Sequence, residues 1–326
     1  MYILIGISMV ITAAMLTSFV FSAGLSVLWP LLKRVARKLS AAAESRFWFT
    51  VGLAPAMAGL WVALLIAGPS YIIHEPRNGE ESMGLPLIAL TLFALTLFAV
   101  SLSGCVAVFV KAWKVSDLLR KHSHRLDLPD IANEIYELPE TSNTFTVVGV
   151  FHPTMFVSRA VLNALNEVEL SSVLAHELAH MRSQHNGLTL ILRFACQLSG
   201  NPVFIRLVHS EWVQAIELEA DAAAIHSPED ALELGSALVK VARLPLVVSA
   251  ATGAGCDFVD TTCNSALGRR IGYLRAAAAG EIRTSRTLVI RVIELAVCGI
   301  FPAVIGIAST PAILSRAHNA LELLMR

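Results

Sequence analysis

Charge is scarce in this sequence. Of 326 residues, 15% are Asp, Glu, Lys or Arg, against 55% that are hydrophobic. That balance excludes an ordinary soluble domain, where about a quarter of residues are charged. The formal net charge is zero, so the total carries no nucleic-acid footprint and no direct nucleic-acid partner is expected. Cysteine is sparse as well. Cys105 and Cys298 fall in apolar runs, while Cys196, Cys256 and Cys263 fall in a part assigned below to the cytoplasm, where thiols stay reduced. Six residues separate Cys256 from Cys263, not the two of a zinc ribbon, so no structural metal is expected there. There is no internal repeat and no low-complexity tract. Tyr2 to Leu32 lacks a basic start and is too long in its apolar stretch for a typical signal peptide.

What the sequence has instead is long uncharged runs. Residues 2–32, 47–73 and 85–110 contain no charged residue, and each exceeds the roughly 20 residues that cross a bilayer. A fourth run, 292–314, carries one acid, Glu294. These predict four transmembrane helices: residues 1–110 hold three, residues 111–286 form a water-facing domain, and residues 287–326 hold the fourth with a short tail. Basic residues alternate between the loops. Lys33, Arg34, Arg37, Lys38 and Arg46 follow the first run, and Lys111, Lys114, Arg120, Lys121 and Arg125 follow the third. Arg269, Arg270, Arg275, Arg283 and Arg286 precede the fourth, while the second loop sets Arg77 against Glu75, Glu80 and Glu81. The positive-inside rule then places the N-terminus outside and residues 111–286 in the cytoplasm of a cell (inner) membrane, with the lipid bilayer as a partner.

The water-facing part carries His176-Glu177-Leu178-Ala179-His180 on a helix predicted from Asn166 to Asn186. Asn166 with Glu169 three residues on is a helix-start signal, Leu170, Val173, Leu174 and Leu178 give the apolar stripe, and Gly187 is the expected stop. Two histidines four apart share a helical face, so both imidazoles can reach one metal ion. Glu177 beside them can hold a water at that metal and take its proton as general base. This is the arrangement of zinc peptidases, and it makes Zn2+ the expected cofactor.

A catalytic zinc takes three protein ligands and keeps one open position, so a third ligand is expected downstream. Glu217-Leu218-Glu219-Ala220-Asp221 supplies it, on a helix that Asn201-Pro202 can start. Glu217 and Asp221 are four apart and share a face; Glu217 is read as the ligand, and Asp221 as a hydrogen-bond partner that fixes a ligand histidine's tautomer. Glu219 is the rival ligand, but it lies about 200° around the helix from Glu217 and cannot face the same metal. His185 is read either as a partner of the ligands or as a polar helix end.

Ahead of the zinc helix, Phe145 to Val150 and Met155 to Val157 read as two short strands of a hairpin. An exposed edge there can bind an extended peptide by strand addition, as a protease needs. Gly253 to Thr262 reads as a loop, and Leu267 to Leu274 as a short helix or turn. The expected fold is therefore a mostly α membrane protein, with a cytoplasmic α+β zincin-like metallopeptidase domain that has a short β-hairpin before the HExxH helix.

The run Val148-Gly149-Val150-Phe151-His152-Pro153, then Leu170 to His180, Asn201-Pro202, Glu217 to Asp221 and Arg269-Arg270-Ile271 resembles the BlaR/MecR-type membrane zinc metallopeptidases, from about Lys111 to Arg286. The resemblance implies zinc on His176, His180 and Glu217, Glu177 as base, and Asp221 behind the ligands. It also implies a protein substrate, a small cytoplasmic winged-helix repressor of the BlaI type. Sensor members of the family carry an external domain, but only residues 315–326 follow the fourth run, too few for a sensor domain, so this part of the family pattern does not carry over. The site is similar too to that of the CAAX prenyl proteases and their bacterial heat-shock relatives, which implies membrane-protein quality control as an alternative. A non-catalytic receptor or scaffold with structural zinc is a further alternative; Glu177 and the open fourth position argue against it, because a structural site is normally closed by four ligands.

Overall fold

The computed structural model describes residues 2–75, 83–126, 134–139, 145–244, 255–257, 264–281, 306 and 310–322. Three helices are long and apolar enough to cross a membrane: Tyr2–Val27, Ala41–His74 and Leu85–Lys121. The first is α1. It ends at Val27 rather than Leu32, because the chain turns at Leu28 and restarts as α2 (Trp29–Ala36), with Pro30 in its first turn where no N–H is needed. The second comprises α3 (Ala41–Val62), a π turn at Ala63–Ala67, and α4 (Gly68–His74). It begins before the uncharged run: Ser40 stands in extended conformation at its N-terminal boundary, and its first turn includes Glu44. The third is α5, Leu85–Lys121, which runs past the uncharged stretch and carries Arg120 to the sheet. At 37 residues it is about 55 Å long. Most of the fourth run, 292–314, lies outside the described residues, as do residues 253–254 and 258–262 of the expected loop and both Arg283 and Arg286. A helix α12 (Pro311–Glu322) packs on α4, where Ser70 donates to the Leu314 carbonyl at 2.8 Å.

A five-stranded sheet follows α5, in the order β1 (His124–Leu126), β2 (Ile135–Leu138), β4 (Thr154–Ser158), β3 (Phe145–Val148), β5 (Gly255–Asp257). The expected hairpin is β3 and β4, antiparallel, with Phe145 opposite Val157 and Val148 opposite Thr154. Every residue of both strands is buried, as suits strands covered on both faces. One expectation needs correction. The β3 edge is not free for an extended peptide: β5 pairs with it antiparallel, Val147 opposite Cys256. β5 comes from a segment more than 100 residues away in sequence, which local pattern does not reveal.

The remaining helices are α6 (Arg159–Ala164), α7 (Glu167–Arg182), α8 (His185–Leu198), α9 (Pro202–Ala224), α10 (Pro228–Ala242) and α11 (Asn264–Ala278). One core joins the sheet to α7, α10 and α11 through residues such as Met155, Val173, Leu238 and Leu274. A second core joins α8 and α9 directly to α2 and α3, through Trp29, Trp48, Leu192, Phe204 and Trp212. Gly52 of α3 permits this approach: a Cβ there would collide with Leu192 of α8 and Val208 of α9. Asn201, which caps α9 by accepting from the Val203 and Phe204 amides, also donates to Ser22 of α1 at 3.3 Å. α9, which carries Glu217 and Asp221, is thus packed directly on the apolar spans, as is α8.

Candidate metal centre

The helix that carries His176 is fixed at its start by its own sequence. Asn166 accepts from the Glu169 amide at 2.8 Å, and Glu169 accepts from the Asn166 amide at 2.9 Å, a reciprocal cap. Glu169 also receives Lys240 at 2.7 Å and Ser236 at 2.6 Å from α10. Burial alone would raise this carboxyl; Lys240, Ser236 and the Asn166 amide outweigh it and hold Glu169 below its ordinary value. The helix stops at Arg182, not at Gly187. Gln184 takes a left-handed conformation, φ 51° and ψ 38°, and α8 begins at His185 with Gly187 inside it. That conformation costs a non-glycine residue about 1 kcal/mol. It brings His185 against His180, and lets Asn186 donate to the Val147 and Gly149 carbonyls at 3.3 and 2.9 Å, tying α8 to the end of β3.

Three side chains converge. His176 Nε2 and His180 Nε2 are 3.1 Å apart, Glu217 Oε2 lies 3.6 Å from His176 Nε2, and Glu217 Oε1 lies 3.5 Å from His180 Nε2. Among the described residues this is the group of His, Cys, Asp and Glu placed to hold a metal ion. The separations suit zinc. Ligand atoms about 2.0–2.1 Å from zinc at tetrahedral angles stand about 3.4 Å from one another. The outer nitrogens agree. His176 Nδ1 lies 2.9 Å from Asp221 Oδ1, so a proton on Nδ1 donates to the carboxylate and leaves Nε2 a lone pair for metal. His180 Nδ1 lies 2.7 Å from His185 Nδ1, and His185 Nε2 lies 3.3 Å from Glu219 Oε2. With His185 protonated on Nε2 toward Glu219, its Nδ1 accepts from His180 Nδ1–H, and His180 Nε2 is likewise free to ligate. The residues present therefore fit a zinc ion.

The two carboxylates of α9 part company as the helical angle requires. Glu217 faces the histidine pair, while Glu219 faces His185 and lines a separate cavity of about 260 Å³ with Arg46, Phe49, Ser183 and Trp212. Glu177, fully buried on α7, lies within electrostatic reach of Arg270.

Arg270 is the member that motif reading missed. From α11 its Nε donates to Asp221 Oδ2 at 2.9 Å, its Nη2 to Oδ1 at 2.7 Å, and its Nη1 approaches Glu217 Oε2 at 2.9 Å. Burial would raise the Asp221 carboxyl, but Arg270 and His176 hold it down at about 2. For His176, burial and Arg270 push down, and the bonds to Asp221 and Glu217 push up more strongly, to about 9. His180, pushed down by burial and then by the charges of His176, His185 and Arg270, sits well below the ordinary histidine value. The sole sequence signal for Arg270 was its place in the Arg269-Arg270-Ile271 run.

No curated protein and no solved structure matches this chain. Residues 111–214 match Peptidase family M48, a stretch that runs from the end of α5 through most of α9 and includes His176 to His180. The match supports a membrane-associated metallopeptidase and is not specific to the BlaR/MecR type.

Proposed function

We propose that the protein is a membrane-anchored zinc endopeptidase in which His176, His180 and Glu217 hold the metal and Glu177 is the general base. The observation that carries this reading is the convergence of two imidazole Nε2 atoms of α7, the helix that also bears Glu177, with the Glu217 carboxylate of α9 at tetrahedral-edge separations. Zinc, when bound, lowers the pKa of a water and polarises the peptide carbonyl. With the metal held there, Glu177 would accept a proton from the attacking water as its oxygen bonds to the peptide carbonyl carbon, and would pass that proton to the amide nitrogen as the C–N bond breaks. Asp221 and the His185–Glu219 pair keep the Nδ1 atoms protonated, so each Nε2 stays a ligand. Arg270 spreads one positive charge over Asp221 and Glu217 and holds both in place.

The site faces the cytoplasm in this reading, with the N-terminus outside. The sheet and α11 lie beside the basic ends of the spans: Arg120, near the end of α5, donates to Thr154 of β4 at 2.7 Å, and Arg269 of α11 meets Glu44 in the first turn of α3. Loops rich in Lys and Arg stay on the cytoplasmic side.

The substrate is a protein segment in extended form. The finer proposal, resting on the BlaR/MecR resemblance, is a small cytoplasmic BlaI-type repressor. Because β5 already pairs with β3, strand addition at that side of the sheet requires displacing β5 or pairing with its outer edge. A second reading, quality control of membrane proteins, is favoured by the direct packing of α8 and α9 on the spans. The test compares protein termini in cells that make the wild type or Glu177→Gln, with a candidate repressor co-expressed. Repressor shortened by the wild type alone supports the first reading. Intact repressor beside cleaved membrane proteins supports the second. No cleavage that depends on Glu177 and zinc overturns both.

A further inference from the structure

Arg269 and Arg270 are neighbours on α11, so their side chains leave the helix about 100° apart. Arg270 grips Asp221 and Glu217 of the metal centre. Arg269 turns to another partner: its Nη2 lies 2.6 and 2.7 Å from the two oxygens of Glu44. Glu44 stands in the first turn of α3, a spanning helix, and is 4% exposed. A carboxylate so buried is costly unless it is paired and hydrogen-bonded. Arg269 supplies the charge, Trp48 Nε1 adds a donor at 3.4 Å, and the helix start favours the negative end.

The placement matters because of what α11 must do. Its apolar face, through Leu267, Ile271 and Leu274, packs on the core shared with α7 and α10. Such packing sets where the helix lies but constrains its rotation weakly, since dispersion contacts are individually small and not directional. Two arginines held at different azimuths fix the rotation. One hold is on α9, at the metal centre; the other is on α3, at the membrane. α9 is itself packed against α3 through Val208 and Trp212. Helices α3, α9 and α11 thus close a triangle with Glu217 on one side, and the Glu44–Arg269 pair closes its far corner.

We propose that Glu44 and Arg269 are positioning residues for the metal centre: their pair holds α11 in the rotation at which Arg270 reaches Asp221 and Glu217, and so couples the spanning helix α3 to the strength of metal binding. The proposal rests on the zinc-peptidase reading above and adds to it a connection between the membrane and the site. Neither residue touches metal or substrate; both act through Arg270.

The experiment uses the full chain in lipid vesicles and measures zinc release to a chelator, peptide cleavage and thermal unfolding. The variants are Arg269→Gln, Glu44→Gln and Arg269→Lys. The first two should release zinc about tenfold faster, the usual scale for a partner one step removed from a ligand, and lower kcat with KM unchanged. Arg269→Lys keeps the charge on one nitrogen and should recover most of both. Zinc release at or below the wild-type rate in Arg269→Gln and Glu44→Gln overturns the proposal. So does a drop in unfolding temperature with zinc release unchanged in the folded protein, which would make the pair a plain anchor. If the wild type binds zinc but cleaves nothing, and release still quickens in the variants, the peptidase reading fails while the positioning role stands.

Discussion

Asp221 receives His176 and Arg270 at once: His176 Nδ1 lies 2.9 Å from Oδ1, and Arg270 Nε donates to Oδ2 at 2.9 Å. The carboxylate is fully buried and stays ionised, so a permanent negative charge sits behind one metal-facing histidine. That charge strengthens the imidazole as a ligand. It also requires a cation of its own, and the cation comes from α11, far along the chain.

Removing that cation should be costly. Arg270→Met leaves Asp221 buried without its strongest partner, and loss of one member of a buried pair costs about 3–5 kcal/mol. Denaturant unfolding of the zinc-free protein measures it. A cost below about 1 kcal/mol would show that His176 alone suffices for Asp221.

Glu177→Gln should bind zinc normally and lose at least about a hundredfold in peptide cleavage, since an amide cannot accept the proton. Zinc content and turnover are measured on the same sample. Near-normal turnover in zinc-loaded Glu177→Gln removes Glu177 from the mechanism.

Glu217 and Glu219 should separate cleanly. Glu217→Ala removes the proposed third ligand and should weaken zinc binding by more than about a hundredfold, while Glu219→Ala loosens only the outer end of the His185 chain and should cost about tenfold or less. Chelator competition reports both, and the reverse order would mean that α9 presents its other face to the metal.

Zinc affinity should rise with pH. Without metal, His176 is held up at about 9, so at neutral pH it carries a proton that zinc must displace. The raised value means the proton stays bound from the acid side up to about pH 9. Apparent affinity should therefore climb about tenfold per pH unit from 7 to 9 and flatten above, with about one proton released per zinc. A flat profile from pH 7 to 9 would contradict the protonated state.

Orientation is open to thiol labelling. In a cysteine-free background, His122→Cys should resist a membrane-impermeant reagent in intact cells, and Gly79→Cys should react. The opposite pattern moves the metal centre to the outer side.

The legible parts of this molecule are those that local chemistry specifies. Asn166 and Glu169 announce the start of α7, Asn201 and Pro202 that of α9, and uncharged length marks α1, α3 and α5. The convergence of Glu217 with His176 and His180 was legible because four-residue spacing defines a face and zinc demands a third ligand. What escaped depends on distant partners. Gln184, not Gly187, turns the chain, although glutamine carries no left-handed preference. β2 joins β4 in parallel and β5 joins β3, neither pairing having a turn to signal it. Arg270 looks like any surface arginine until α11 is folded against α9.

The core shared by α3, α8 and α9 means that, among the described residues, no seam parts these site helices from the spans. A water-soluble fragment made from residues 111–281 would lose α2 and α3 and lay bare Leu192, Phe204, Val208 and Trp212, a greasy face large enough to drive aggregation. It would also leave Arg269 without Glu44 and Glu211 without Lys33. Chemistry and anchorage are one folding unit here, and a preparation that removes the anchor should be expected to lose the enzyme with it.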